Sequence, residues 1–383
     1  MKDTSSFLGH VEHAFEFAQK QVRLLVERDP DFYPVYTDGG RWRNSKPAWT
    51  RWCEGFLPGM MWIFYEETHD TQWRDLAEQY SRPLETRKDD RDVHDLGFIF
   101  YHGTYKRWYD TTVREGEPHP ALKDVVIHAG RTLALRYNNR SRCLRSFRSS
   151  DSNFIDIMMN VGIIFYAASE TGDPGLMELA HRHSMTTRRT LVRGDGSTAH
   201  EGIFDPETGE FLRQTTQQGY RGDSCWSRGL AWSLYGFGTC NDLTGEPAYM
   251  EVARANADCW LEHIGDDGVA PWDFDAPETG EHSRSLVDTS ASAIAVVGLL
   301  NLAERIPDEV RRKAYAECAL RTIATLTTKY LGEGDDGWEG ILRGGVYHVH
   351  NGLGVNESVM WGEYFFVEAL QRVLRLLGKS HPS

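Results

Sequence analysis

Hydrophobic and polar positions divide the chain into two kinds of helical segment that alternate along its length. One kind is amphipathic, with apolar residues at helical spacing on one face and charged residues on the other. The second kind is apolar and aromatic on nearly every face, and its beginning is rich in glycine and polar residues. The predicted amphipathic helices cover residues 7–27, 72–86, 122–137, 174–191, 247–264 and 308–331. The predicted apolar helices cover residues 52–67, 94–109, 153–171, 226–243, 289–303 and 359–376.

This alternation predicts an all-α fold, an (α/α)6 barrel with six inner and six outer helices. A helix that is apolar on every face is buried on every side, and a closed ring achieves this for the whole inner set. The junctions repeat as well, as in Glu170-Thr-Gly-Asp173 and Leu243-Thr-Gly-Glu246, which is typical of a helical array. We expect one domain over residues 1–383, with short β-hairpins at the rim, for example at 345–350. An open helical solenoid is the alternative.

Polar residues at the starts of the inner helices are expected to meet at one end of such a barrel, where helix N-termini add positive potential. These residues are Trp52, Glu54, His94, Asp95, Asp156, Arg228, Trp232, Asp288, Trp361 and Glu363. Carboxylates, an arginine, a histidine and tryptophans around one opening are the residue types that bind sugars. The pattern therefore predicts a carbohydrate site.

Asp156 is the carboxylate whose surroundings are most unusual, because it lies at the start of the apolar segment 152–166. Burial of an unpaired carboxylate raises its pKa, and an acid that keeps its proton near neutral pH can act as a general acid. The alternatives are a helix cap or a pair with an arginine. Asp95 holds the corresponding place on another inner helix, with an N-cap as its alternative. Two such acids indicate paired acid and base groups.

The connection at 197–232 is long and polar, and loops of this length in a compact domain are often functional. It carries His200, Gln218 and Arg228. Arg228 can form a bidentate pair with a substrate carboxylate, or a structural salt bridge. A run of arginines precedes Asp156, and we expect most of it to be a solvated face, with Arg145 the member that faces the opening.

The formal net charge of −14 at pH 7 argues against a nucleic-acid partner. Residues 1–6 lack the regions of a signal peptide, and no apolar run reaches transmembrane length. Six scattered cysteines are expected to be reduced thiols. We therefore expect a cytoplasmic protein without a membrane partner. Paired histidines at 181/183 and 348/350 have metal-like spacing without a supporting ligand cluster, so we expect no metal site.

Several blocks of sequence resemble one family in the same order along the chain, from about residue 52 to 370. The blocks are Glu54-Gly-Phe56, His94-Asp-Leu-Gly-Phe98, Thr171-Gly-Asp173, Leu191-Val-Arg-Gly-Asp195, Arg228-Gly-Leu-Ala-Trp232, Trp272-Asp-Phe274, Ser290-Ala-Ser-Ala-Ile294 and Tyr347-His-Val349. They resemble the unsaturated glucuronyl hydrolases of glycoside hydrolase family 88. That resemblance implies an (α/α)6 barrel that hydrolyses oligosaccharides with a 4,5-unsaturated uronic acid at the non-reducing end, as a monomer or weak homo-oligomer without metal or redox cofactor.

The resemblance also implies roles for individual residues. Asp156 matches the general acid/base that protonates C4 of the vinyl ether and helps water add at C5, and Asp95 matches the second essential carboxylate. Trp52 and Trp232 match aromatic walls of the sugar subsite, and Phe147 stands where the family has a stacking tryptophan. The residues that match substrate-binding positions are His94, His200, Gln218 and Arg228. Cys53 and Glu54 depart from the family's Thr and Asp, and residues 348–358 have no pattern that predicts the preferred aglycone.

Three other functions remain open at this point. An unsaturated rhamnogalacturonyl hydrolase would share the barrel and the chemistry. A sugar epimerase of the same fold would be expected to use histidines as its acid/base pair. A non-catalytic glycan-binding barrel is the alternative outside enzymology, and the presence of both carboxylates disfavours it.

Overall fold

The structure of the protein is a computed structural model that describes residues 4–42, 50–334 and 337–378. In chain order, its helices are α1 (Thr4–Arg28), α2 (Phe56–Thr68), α3 (Thr71–Ser81), α4 (Tyr105–Arg114), α5 (Pro120–Ala134), α6 (Ile157–Asn160), α7 (Gly162–Thr171), α8 (Pro174–Leu191), α9 (Ser227–Thr244), α10 (Pro247–His263), α11 (Thr289–Arg305), α12 (Glu309–Lys329) and α13 (Met360–Leu376). A 3₁₀ helix (Arg82–Asp89) follows α3, a π-helical segment (Gly97–Gly103) precedes α4, and a short 3₁₀ turn covers Val349–Asn351.

The inner elements form a closed ring. Helix α2 packs against the π-helical segment, which packs against α6 and α7; these contact α9, and α9 contacts α11. Helix α13 closes the ring, since it packs against both α11 and α2. The outer helices α1, α3, α5, α8, α10 and α12 each pack against a neighbouring inner helix. The predicted (α/α)6 barrel is therefore confirmed, and the open solenoid is wrong.

Glycine allows the inner elements to approach this closely. A Cβ built on Gly97 would lie 2.5 Å from the Cα of Asn160, and one on Gly103 would lie 2.4 Å from the carbonyl oxygen of Gly55. Real Cβ atoms do not tolerate such contacts, so these glycines fix the spacing between neighbouring inner elements. The apolar side chains between the two helical layers form one continuous cluster that runs from Phe7 to Leu374.

The strands are short and lie in the connections. They are β1 (Thr37–Asp38), β2 (Arg41–Trp42), β3 (Tyr137–Asn138), β4 (Cys143–Leu144), β5 (Ser152–Phe154), β6 (Glu201–Phe204), β7 (Phe211–Thr215), β8 (Gly345–His348) and β9 (Leu353–Glu357). The pairs β1–β2, β3–β4 and β8–β9 are antiparallel hairpins, and β5–β6–β7 form an antiparallel three-stranded sheet. The hairpin expected at 345–350 is present as β8–β9.

Two inner helices differ from the prediction. Residues 152–154 were predicted at the edge of a helix beginning at 153, but they pair with β6, and the amide of Ile155 donates to the carbonyl of His200. Long-range pairing there outweighs the local helical pattern. The second inner helix was predicted as one element over 94–109. It begins at Gly97 in π-helical form and breaks at Thr104, whose φ and ψ are −119° and −93°.

Candidate active site

The starts of the inner elements meet at a small cavity at one end of the barrel, as predicted. The side chains that line it are Thr50, Trp52, His94, Asp95, Phe98, Phe147, Phe154, Asp156, Gln218, Arg228 and Tyr347. Seven of the nine site residues predicted from sequence are in this set. His200 lies directly behind it, and Trp232 lies deeper in the barrel.

Asp156 sits immediately before α6, where its side chain is 14% exposed. The carboxylate makes no capping hydrogen bond to that helix, and it forms no ion pair with an arginine among the described residues. Both structural alternatives for Asp156 are therefore wrong. Burial raises the pKa of its carboxyl to about 7, against the opposing effect of the positive charge of Arg228. The expected raised pKa is confirmed, and Asp156 can hold a proton near neutral pH.

His200 supports Asp156 from behind. Its Nδ1 accepts hydrogen bonds from the backbone amides of Gln217 (3.1 Å) and Gln218 (3.3 Å). Because a backbone amide can only donate, the neutral ring must carry its proton on Nε2. That atom lies 3.6 Å from Oδ2 of Asp156. Burial lowers the pKa of His200 to about 3, so the ring is a neutral N–H group facing the carboxyl.

Asp95 and His94 repeat this arrangement. The amide of Phe147 donates to Nδ1 of His94 at 3.0 Å, which places the proton of the neutral ring on Nε2, 3.4 Å from Oδ1 of Asp95. Burial, and then the negative charge of Asp156, raise the pKa of Asp95 to about 8. Burial holds the pKa of His94 well below its ordinary value. The cavity thus contains two acids that resist simultaneous ionisation.

Arg228 is fully engaged by the protein. It donates to Oδ2 of Asp288 at 2.7 Å, to the side-chain oxygen of Gln218 at 2.6 Å and to the carbonyls of Val346 and Tyr347. Its guanidinium also lies 4.5 Å from the ring of Trp226. The structural salt bridge is therefore present. Contact with a substrate carboxylate stays a prediction, since the side chain also lines the cavity.

Aromatic rings form two of the cavity walls. The ring centroid of Trp52 lies 4.8 Å from that of Trp361, and the ring centroid of Phe147 lies 5.4 Å from that of His94. Trp232 is different, because it is 1% exposed and its ring lies 5.0 Å from that of Phe98. Trp232 is not among the residues that line the cavity, and its role as an aromatic wall of the sugar subsite stays a prediction. It lies one helical turn beyond Arg228 on α9, which carries it below the layer that faces the opening.

Other residues expected at the opening have structural contacts. Asp288 caps α11 and binds Arg228. Glu363 accepts hydrogen bonds from the amides of Ile341 (2.5 Å) and Leu342 (3.1 Å). Glu54 pairs with Arg87 at 2.5 Å. The side chain of Arg145, expected to face the opening, is exposed and outside the lining.

Four lining residues escaped the sequence prediction: Thr50, Phe98, Phe154 and Tyr347. Phe98 was recognisable, since it follows Asp95 within the same apolar segment. Thr50 and Tyr347 lie in a loop and a strand, where helical periodicity gives no signal, and Phe154, near the start of the helix predicted over 153–171, lies on β5 instead.

No helix in the described ranges is long and apolar enough to cross a membrane. The same ranges contain no group of three or more His, Cys, Asp or Glu side chains that could hold a metal ion.

Comparison with known proteins identifies the family. The model of Glycosyl Hydrolase Family 88 matches residues 30–364. The chain is 32% identical to the unsaturated glucuronyl hydrolase of Bacillus sp. (strain GL1), with 90% of this chain and 92% of that protein covered. It is 29% identical to the unsaturated chondroitin disaccharide hydrolase of Streptococcus pyogenes serotype M1, with 94% and 90% covered.

Solved structures of similar proteins support the same family assignment. The crystal structure of the unsaturated glucuronyl hydrolase from Bacillus sp. GL1 superposes with a TM-score of 0.87 at 30% identity, covering 97% of this chain and 98% of that one. The unsaturated glucuronyl hydrolase from Streptococcus agalactiae superposes with a TM-score of 0.86 at 27% identity, with 96% and 92% covered. The resemblance seen in the sequence is confirmed: this chain belongs to Glycosyl Hydrolase Family 88 and is a glycoside hydrolase.

Proposed function

We propose that this chain removes the 4,5-unsaturated uronic acid from the non-reducing end of oligosaccharides produced by polysaccharide lyases. The observation that carries the proposal is the pair of buried acids in one small cavity, each facing the Nε2–H of a neutral histidine. The names of the relatives, which include glucuronyl and chondroitin disaccharide hydrolases, support this substrate class.

The proposed reaction begins with proton transfer to carbon. The unsaturated sugar is a vinyl ether, in which the ring oxygen donates electron density through C5 to C4. Asp156 gives its proton to C4, and positive charge develops at C5 and the ring oxygen. The carboxylate left on Asp156 then takes a proton from a water molecule as that water adds to C5. Asp156 is thereby reprotonated. The bond between C5 and the ring oxygen then breaks, which leaves a ketone at C5 and a hydroxyl on C1. The resulting C1 hemiacetal becomes an aldehyde as its bond to the aglycone breaks, and the proton of the C1 hydroxyl passes through water to the departing aglycone oxygen.

The raised pKa of Asp156 suits both halves of this cycle. An acid with a pKa of about 7 is partly protonated at neutral pH, and its conjugate base is strong enough to deprotonate an attacking water. The N–H of His200 stabilises the carboxylate that forms, without holding a formal charge before the reaction. The proposed steps move every proton through Asp156 and water, and they require no redox cofactor.

The remaining lining residues are assigned to binding. We propose that Asp95 and His94 hold the sugar hydroxyls beside Asp156. Trp52 and Phe147 provide apolar surface for the ring, and this use of aromatic faces is common in ligand sites. Gln218, whose side-chain oxygen accepts a hydrogen bond from Arg228, offers its amide nitrogen as a donor for the uronate carboxylate, and the positive charge of Arg228 attracts that carboxylate.

The test is Asp156→Asn, assayed by loss of the absorbance of the conjugated double bond. General acid–base groups contribute about 10²–10⁴-fold, so we expect activity to fall by at least about 10³-fold with the fold intact. Asp124→Asn, an exposed position on α5, is the matched control and should behave as the wild type. Substantial residual activity of Asp156→Asn would remove the assignment.

One substrate panel distinguishes the proposed activity from that of an unsaturated rhamnogalacturonyl hydrolase. Unsaturated chondroitin and hyaluronan disaccharides should be cleaved much faster than unsaturated rhamnogalacturonan disaccharides. The reverse order would favour an unsaturated rhamnogalacturonyl hydrolase, and binding without turnover would favour a glycan-binding barrel.

We further propose that the chain acts as one catalytic domain in the cytoplasm, as a monomer or weak homo-oligomer. The continuous apolar core supports a single domain, and six buried cysteines without a disulfide suit a reducing compartment. Sedimentation of the purified enzyme at several concentrations tests the oligomeric state.

A further inference from the structure

Arg136 is a buried arginine that lies in the short connection between α5 and β3. The residue is 5% exposed. Its guanidinium donates to three backbone carbonyls: Nε to Arg145 at 3.0 Å, Nη2 to Ser146 at 2.6 Å, and Nη1 to Arg91. Among the described residues it forms no salt bridge. A buried cation that is held by carbonyls instead of a carboxylate is unusual, since burial of charge is normally offset by pairing.

The carbonyls bound by Arg136 belong to two segments that meet at the active site. Arg91 lies three positions before His94, and Ser146 directly precedes Phe147. The amide of Phe147 is the group that donates to Nδ1 of His94. Arg136 therefore joins the two segments whose mutual hydrogen bond places the proton of His94 on the nitrogen that faces Asp95.

The charge of Arg136 reaches the same pair of residues. Together with Arg87, it lowers the pKa of Asp95 against the larger opposing effects of burial and of Asp156. It also helps hold the pKa of His94 low, with smaller contributions from His200 and His183. The charged groups that face Arg136 itself are Arg145, Asp95, Asp92 and Asp90. Thr50 completes the polar surroundings of Asp95 through a hydrogen bond.

We propose that Arg136 is a positioning residue for catalysis: it clamps the segment before His94 to the segment before Phe147, so that His94 presents its Nε2–H to Asp95. Arg136 is not in the cavity lining and touches no reacting atom, so it acts through His94 and Asp95. The catalytic consequence rests on the proposed function of the site, whereas the clamp itself can be tested without substrate.

Two variants separate the clamp from the charge. Arg136→Met removes both, and Arg136→Lys keeps the charge but cannot reproduce a planar three-way set of hydrogen bonds. Arg131→Met, which removes the same charge from an exposed position on α5, is the matched control. Because small displacements in an active site cost on the order of 100-fold, kcat/KM should fall by about that factor in Arg136→Met, mainly through kcat. Arg131→Met should match the wild type.

The pH dependence supplies a readout that loss of stability alone would not change. Without the positive charge, the pKa of Asp95 should rise, so the limb of the kcat/KM profile that reports ionisation of Asp95 moves to higher pH in Arg136→Met. In Arg136→Lys that limb should stay in place while the rate remains below the wild-type value. A wild-type rate in Arg136→Lys would overturn the clamp.

Nitrogen-15 NMR of histidine-labelled protein tests the clamp without any substrate. The His94 signals, assigned by their loss in His94→Gln, should show a proton on Nε2 in the wild type and a mixture of tautomers in Arg136→Met. If Arg136→Met does not fold, the same measurement is made on Arg136→Lys, where a partial change is expected. An unchanged tautomer in the folded variant would overturn the proposal. An inactive wild type with the expected tautomer would instead count against the proposed function.

Discussion

The two acid–histidine pairs of the cavity have the same local design in different surroundings. In both, backbone amides occupy Nδ1 of a neutral histidine, and Nε2 lies 3.4 Å (His94–Asp95) or 3.6 Å (His200–Asp156) from a carboxylate oxygen. The design differs in how the arginine whose charge acts on each acid is itself compensated. Arg228, beside Asp156, is paired with Asp288, whereas Arg136, near Asp95, is held by carbonyls.

This difference indicates that the two acids have different roles. At Asp156, burial raises the pKa to about 7 against the positive charge of Arg228, so the acid is partly protonated at neutral pH. At Asp95, burial raises the pKa most, and several charges then compete: that of Asp156 raises the pKa further, while those of Arg136 and Arg87 lower it. Asp156 is therefore suited to proton transfer, and Asp95 to a role that responds to its neighbour's charge.

The strongest test of this comparison is to replace each acid in turn. Asp156→Asn should lose at least about 10³-fold in kcat, because it removes the proton donor. Asp95→Asn should also be severe, at about 10²-fold or more, but it should retain more activity than Asp156→Asn, because the amide can still bind a sugar hydroxyl. Steady-state kinetics on one unsaturated disaccharide measures both. Equal residual rates in the two variants would contradict different roles for the two acids.

The histidines should have the next largest effects. His200→Gln and His94→Gln each remove the ring N–H that faces an acid, and loss of one preorganised donor should lower kcat/KM by about 10–100-fold, or about 1.4–2.7 kcal/mol. Because His200 acts on the proton donor, its variant should lose chiefly kcat. The His94 variant should also raise KM. Kinetics with saturating and limiting substrate distinguish these outcomes, and identical effects on KM would argue against separate roles.

The pH–rate profile of the wild type should carry a limb near pH 7. Asp156 must be protonated to act as an acid, and its pKa is about 7, so kcat/KM should fall as the pH rises through that value. In Asp156→Asn this limb should be lost from the residual activity, and any remaining limb should report Asp95, whose pKa the charge of Asp156 raises in the wild type. A wild-type profile without a limb between about pH 6 and 8 would contradict the role of Asp156.

The remaining predicted effect is on stability and not on rate. The pKa of Asp156 in the folded chain lies above its ordinary value of 3.8, so the folded state binds the proton more tightly than the unfolded state. The wild type therefore loses stability as the pH rises from about 4 to about 7. Asp156→Asn should escape this loss and be more stable by about 1–3 kcal/mol above pH 7, with little difference near pH 4. Urea unfolding at both pH values measures the change. A variant that is less stable than the wild type at pH 8 would contradict the burial argument.

Parts of the site were recognisable from the sequence because they depend on position within a helix. Asp95, Asp156 and Arg228 all begin apolar segments, and the closed ring of segments brings such starts together at one end. The same rule does not bring Trp232 into the cavity lining, because that residue lies one turn further along its helix and is buried below the cavity. A difference of one helical turn decides whether a side chain lines the cavity or is buried beneath it. The pattern of apolar residues does not distinguish these two positions.

The sequence by itself determined the alternation of apolar and amphipathic helices, the closed barrel and the acids at the helix starts, because all of these follow from local periodicity and burial. Only the tertiary structure decided the partners of those residues. Asp288, which holds Arg228, lies 60 positions away, and Phe147, which fixes the tautomer of His94, lies 53 positions away. Strand β5 likewise forms because β6 lies beside it. Hydrogen bonds and charges act through space, so the protonation states on which the chemistry depends exist only once the ring has closed.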